Sequence, residues 1–121
     1  MAEDDSSYDL EERTFRFALA VRTCVSEQTW KPVQWTDVNQ VLRSSGSIAA
    51  NYTEANNAVS KPDFIHKIGI ARKEAAERKL WLRLLGATSK EPFLIEQLRD
   101  LHKESDELVR ILATIQRKSS S

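Results

Sequence analysis

The chain has 121 residues, 40% apolar and 30% charged, with three glycines, three prolines and a single cysteine. That is enough for one domain with a core of its own, excludes a disulfide-stapled scaffold, and favours long helices over turn-rich β architectures. Eighteen basic and eighteen acidic side chains cancel, so no overall field recruits nucleic acid or a membrane.

The start, Met1-Ala2-Glu3-Asp4-Asp5, is acidic where a secretory signal needs positive charge, and no apolar run approaches the length of a bilayer span. The expectation is a cytoplasmic protein with no membrane partner, one domain over 1–121, with flexible ends at 1–8 and 118–121. The lone Cys24 sits among apolar neighbours at helical spacing, which predicts a buried, inert thiol.

Leu10, Thr14, Phe17, Val21 and Cys24 fall on a heptad line, with Phe15, Ala18, Leu19, Arg22 and Val25 widening the stripe. The spacing predicts a first helix over 9–28. Pro32 breaks the pattern and makes Trp30 to Trp35 a connector. Thr36 or Asp37 is expected to cap a second helix ending near Asn57, with Val38, Val41, Leu42, Ser45, Ile48, Ala49, Tyr52 and Ala55 inward. Ser60-Lys61-Pro62-Asp63 is a capping signature for a third helix from Lys61 to Leu85. Phe64, Ile68, Ala71, Ala75, Leu82 and Leu85 line its inner face, and Gly86 is expected to end it in a left-handed cap. Pro92 opens a fourth helix in which Leu94, Leu98, Leu101, Ser105, Leu108, Leu112 and Ile115 keep an a/d rhythm. Four amphipathic helices on short connectors predict an all-α, antiparallel up-down-up-down four-helix bundle.

Two places depart from plain amphipathicity. The small residues from Ser44 to Ala50, with Gly46 among them, sit mid-helix, where a glycine costs about 1 kcal/mol relative to alanine. They predict close approach of another helix, in the same chain or in a neighbouring subunit. Arg43, Ser47, Ala50, Asn51 and Glu54 gather on a second side of that helix, open either to solvent or to a subunit contact that would also include Gly46. Charge is uneven as well. Residues 1–60 carry nine acidic and five basic side chains, and residues 61–121 carry nine and thirteen, so the halves are −4 and +4. Much of the excess lies on the third helix, where Lys67, Arg72, Lys73, Arg78, Lys79 and Arg83 meet only Glu74 and Glu77. Arg72, Lys79 and Arg83 share a stripe, which is either a solvated face or a phosphate-binding one.

Enzyme signatures are absent. His66 and His102 lie on different predicted helices without metal-ligand spacing, and neither a phosphate loop, a nucleophile elbow nor a Glu-x-x-His pair occurs. No catalytic residue, metal or cofactor is expected.

The run Leu42-Arg43-Ser44-Ser45-Gly46-Ser47-Ile48-Ala49-Ala50-Asn51-Tyr52-Thr53-Glu54-Ala55, then Ser60-Lys61-Pro62-Asp63-Phe64-Ile65-His66-Lys67-Ile68 and Ala71-Arg72-Lys73-Glu74-Ala75-Ala76-Glu77, resembles the bacterial four-helix bundle protein family. That family includes proteins encoded in intervening sequences of large-subunit ribosomal RNA genes and is similar to the Avd accessory proteins of diversity-generating retroelements. The resemblance covers nearly the whole chain, from Tyr8-Asp9-Leu10-Glu11-Glu12-Arg13-Thr14 onward. It implies a homopentameric ring and, for the Avd branch, a basic surface that binds nucleic acid and a reverse transcriptase. This chain has Ala49 where many members have Pro and Ala55 where they have Gly. Both changes favour a continuous helix. The expected function is a non-enzymatic interaction scaffold that binds RNA or DNA through Arg72, Lys73, Lys79 and Arg83, its alternative a protein-binding adaptor. The expected subunit interface contains Arg43, Gly46, Ser47, Asn51 and Glu54.

Overall fold

The computed structural model describes residues 6–120, with side chains from residue 10 onward. Four helices account for nearly all of it: α1 (Ser6–Ser26), α2 (Trp35–Asn56), α3 (Lys61–Ala87) and α4 (Pro92–Ser120), with a 3₁₀ turn at Pro32–Gln34 before α2. No strand occurs among the described residues. Short connections force each helix to run against the one before it, and the cross-helix pairs follow that antiparallel order: Arg13 of α1 meets Glu104 of α4, Arg43 of α2 meets Glu74 of α3, and Lys79 of α3 meets Asp106 of α4. The seams α2–α3 and α3–α4 are broad; α1 lies more on α2 than on α4.

The core is the sequence periodicity made solid. Leu10, Phe17, Val21, Val38, Ile48, Ile68, Leu82, Leu85, Leu98, Leu108 and Leu112 are all buried, each contributing roughly 1.5–3 kcal/mol of transfer free energy. Thr14 is buried with them because its hydroxyl donates to the Glu11 carbonyl at 3.0 Å, which spares it an unpaired polar group. Ser105 does the same across a seam, its Oγ donating to the Ala75 carbonyl of α3 at 2.7 Å.

The helix ends divide into those the sequence places and those that tertiary contacts set. Ser60 caps α3, accepting from the Asp63 N–H at 3.2 Å. Pro92 opens α4, and the Glu91 carboxylate accepts from the Leu94 N–H at 2.7 Å. Neither Thr36 nor Asp37 caps α2. The helix begins earlier, at Trp35, because the Pro32–Gln34 turn feeds straight into it, and its N-cap Gln34 makes no side-chain cap bond. That side chain is buried and ties the two connections at this end together, donating to Thr88 Oγ1 and Ser89 Oγ, each at 3.2 Å. Gly86 forms no left-handed cap: α3 continues to Ala87 and closes at Thr88 with φ −100°, whose Oγ1 donates to the Leu84 carbonyl at 2.9 Å. The first helix ends at Ser26 rather than 28, and its start at Ser6 takes in part of the 1–8 segment. Helix α4 carries on through Lys118 to Ser120; residues 1–5 and 121, the remainder of the expected flexible ends, lie outside the described residues.

Candidate functional site

The expected cationic residues of α3 divide into four environments. Arg72 Nε donates to the Gln116 side chain at 2.8 Å, which fixes the guanidinium against α4 without neutralising it. Lys79 Nζ lies 3.0 Å from Asp106, whose other oxygen meets Arg110 at 3.1 Å. The hydrogen bond from Lys79 holds the Asp106 carboxyl below its usual range, with the charges of Arg110, Lys79 and His102 adding to it. Lys73 and Arg83 are exposed and make no hydrogen bond or ion pair among the described residues. Lys67 is taken by Glu54 of α2 at 2.7 Å, which raises the lysine's pKa. Arg78 is not on the surface at all. Its side chain has no exposure, and its spacing from Ala71, Ala75, Leu82 and Leu85 places it on the core stripe.

That burial is the largest departure from the sequence reading, which counted Arg78 in the positive excess of the third helix. The Arg78 Nη2 donates to the Glu74 carbonyl, whereas Nε and Nη1 have no hydrogen-bond partner among the described residues. Burial pulls its pKa down to about 10 against the attraction of Glu74 and Glu77, and Arg43 lowers it further. The 4-3-4-3 spacing from Ala71 to Leu85 was the available signal, masked because arginine is almost never fully buried.

Along the α3–α4 seam the remaining cations border two grooves. One, of about 700 Å³, is bordered by His66, Arg72 and Lys73 near the start of α3. The other, of about 370 Å³, is bordered by Arg83, Arg99 and His102 near its end. Arg72 and Arg83 are eleven residues apart, about 16 Å along the helix axis. The seam therefore presents a basic face in two clusters, separated by Lys79, Asp106 and Arg110, where the one carboxylate offsets half of the positive charge.

The other expected surface, on α2, finds its partners within the chain. Arg43 reaches Glu74 at 3.3 Å and Glu77 at 3.9 Å. Asn51 Nδ2 donates to the Ser47 carbonyl at 2.9 Å and to Ser47 Oγ at 3.0 Å. Glu54 holds Lys67. The close neighbour of Gly46 is Arg22 of α1: a Cβ there would stand 3.1 Å from Arg22 Nη2. The Arg22 guanidinium donates to the carbonyls of Ala18 and Leu42 and to Ser45 Oγ. Phe15 and Leu19, expected to widen the core stripe of α1, are instead 56% and 49% exposed. They stand one helical turn apart, and Phe15 lines a groove of about 630 Å³ with Ala49 and Ala50, bordered by Glu11, Glu12 and Glu54. The α1–α2 side is thus apolar and acidic where the α3–α4 side is basic.

Cys24 is buried, and burial pushes its thiol up to about 11, with Glu27 adding to the shift. It stays protonated at neutral pH and is a poor nucleophile. Among the described residues no group of three or more His, Cys, Asp or Glu is placed to hold a metal ion. Among the described residues no helix is long and apolar enough to cross a membrane.

These features define an antiparallel four-helix bundle with a split basic face and an apolar, acid-rimmed groove on the opposite side. The chain belongs to the 23S rRNA-intervening sequence protein family, whose model matches residues 7–114. It is similar to a protein of unknown function from the S23 ribosomal protein family of Bacteroides thetaiotaomicron VPI-5482, known from a crystal structure at 1.70 Å resolution. The two share 32% identity over 93% of this chain and 99% of that one, with a TM-score of 0.78. No curated protein matches the chain.

Proposed function

We propose that this protein is a non-enzymatic, cytoplasmic scaffold that assembles as a homopentameric ring and binds RNA or DNA through the α3–α4 face. The observation that carries the nucleic-acid reading is the pair of basic clusters along that seam, in which Lys73 and Arg83 are unpaired and Arg72 keeps its charge. A local face of this kind binds phosphates although the whole chain is neutral, and identical subunits in a ring multiply it. Self-assembly is supported by the exposed Phe15 beside Ala49 and Ala50, with the exposed Leu19 one helical turn further along α1, apolar surface of the kind that subunit contacts cover. Arg43, Gly46, Ser47, Asn51 and Glu54 would border that contact, keeping the partners they have within the chain. A reverse-transcriptase partner would accompany the Avd-like version of this function.

The rival reading, a protein-binding adaptor with no nucleic-acid role, draws on the same exposed Phe15 and Leu19. Salt separates the two. Binding of a fluorescently labelled RNA duplex should weaken steeply as salt rises, because counterion release drives it. Arg83→Gln should reduce the slope of log affinity against log salt by about 1, and Lys79→Gln by less, since Asp106 already neutralises that charge. A native protein that binds neither RNA nor DNA at low salt leaves the adaptor as the function. Sedimentation should give a species of five protomers; a stable lone protomer at micromolar concentration would refute the ring.

A further inference from the structure

Each of the three glycines lies in a helix, where lacking a side chain costs up to about 1 kcal/mol. Two have an internal reason. A Cβ at Gly46 would crowd Arg22, and one at Gly69 would come within 2.7 Å of Gln116 Nε2, the side chain that also receives Arg72. Gly86 has neither reason. Its φ lies outside the left-handed region, and a Cβ there would meet nothing within 4 Å. The open space beside it belongs to the α3–α4 groove of about 370 Å³, whose walls include Leu82, Ile95 and Leu98 and whose rim carries Arg83, Arg99 and His102.

We infer that this groove holds one unpaired nucleotide of a nucleic-acid strand, with Arg83 and Arg99 on its phosphate and its base between the His102 ring and the bare α3 backbone at Gly86. The inference rests on the nucleic-acid reading above and names the site and strand form it uses. Charge complementarity identifies the occupant as anionic: Arg83 is unpaired, and the Arg99–Glu96 contact at 3.4 Å is exposed on both sides, so a phosphate competes with it readily. The volume lies at the small end of the range for small-molecule sites, room for a single base, and a paired base held in its stack cannot turn out to enter it. Unpaired bases are taken up by stacking on imidazole and guanidinium planes and on apolar walls, and those are the groups present. A duplex would reach only the rim and read it as phosphate contacts.

The test compares fluorescence anisotropy of a labelled 12-nucleotide poly-U strand with that of the same strand in duplex, using the whole chain at low salt. Gly86→Leu fills the groove from a position where the fold leaves room, and should lower the ratio of single-strand to duplex affinity at least fivefold while the melting temperature holds or rises. His102→Ala should lower the same ratio and serves as the second variant if Gly86→Leu unfolds. An unchanged ratio in both variants overturns the groove assignment and leaves salt-dependent duplex binding intact. A native protein that binds neither strand form overturns the nucleic-acid reading and this inference together. Displacement of the strand by polyglutamate as effectively as by unlabelled poly-U of equal charge would assign the groove to an acidic peptide instead.

Discussion

Replacing Arg78 with methionine should make the bundle more stable, and the size of the gain follows from where the guanidinium sits. The side chain has no exposure, one N–H group reaches the Glu74 carbonyl, and Nε and Nη1 have no partner among the described residues. Each unpaired buried donor costs about 1–3 kcal/mol. Burial also pulls the arginine's pKa down to about 10 despite the attraction of Glu74 and Glu77, so the charged form is worse off inside than in water. Methionine keeps the unbranched stem and most of the volume and has no donor to satisfy. The expected gain is about 2 kcal/mol, or roughly 8 °C in melting temperature for a chain of this size. The pH dependence carries the sign. Below pH 10 the arginine is charged in both folded and unfolded states and the penalty is complete. Above pH 10 the folded state sheds its proton before the unfolded chain does, so native stability rises and the advantage of the variant shrinks. Urea and thermal unfolding followed by circular dichroism at pH 7 and pH 11, at one fixed protomer concentration, measures both effects. A variant that loses more than 1 kcal/mol at pH 7 would refute the reasoning, because the guanidinium would then be holding α3 in place.

Arg13 clasps Glu104 through two bonds of 2.7 and 2.9 Å across the thin α1–α4 seam; since both side chains are about one-third exposed, Arg13→Ala should cost only about 1 kcal/mol. Its effect on hydrogen exchange should concentrate in α1, and uniform deprotection of all four helices would contradict that seam's local role. Ser60→Ala removes the cap of α3 and should cost about 1 kcal/mol, read as a shift in urea midpoint at unchanged slope; no shift would mean that Pro62 alone sets the helix start. Asp106, its carboxyl held low first by the hydrogen bond from Lys79, contributes stability present above the ordinary carboxylate pKa and lost as pH falls through its lower folded value. A carboxyl-carbon NMR titration should find its midpoint below that of a model aspartate, and Lys79→Gln should move it up. A midpoint insensitive to that change would break the Lys79–Asp106 link.

The elements most legible in the sequence were those with redundant signals. Helix α4 keeps leucine at nearly every a/d position, and Leu94, Leu98, Leu101, Leu108 and Leu112 are buried as that rhythm requires. The Ser60-Lys61-Pro62-Asp63 start of α3 needs only local hydrogen bonding and Pro geometry, and it forms as written. Errors collected where one residue could serve two ends. Gly86 suited a cap by type, but the Thr88 hydroxyl took over the last carbonyls and the helix ran on. Phe15 and Leu19 extended the apolar stripe of α1 by type, yet α1 lies more on α2 than on α4 and leaves that side of the helix uncovered. The basic stripe was legible as charge and not as free charge, because Asp106 and Glu54, which neutralise Lys79 and Lys67, come from elements far away in sequence.

The sequence by itself determined four helices, their order and antiparallel sense, and nearly all of the core, because burial of an apolar face and the shortness of connectors act over a few residues at a time. The tertiary structure alone decided which cations are spent on internal partners and which face solvent, that Arg78 points inward, and that Gly86 opens onto a groove. Those outcomes depend on which side chain from a distant helix arrives within 3 or 4 Å, at the range where pairing and desolvation act, and periodicity along one helix carries no information about the helix across from it.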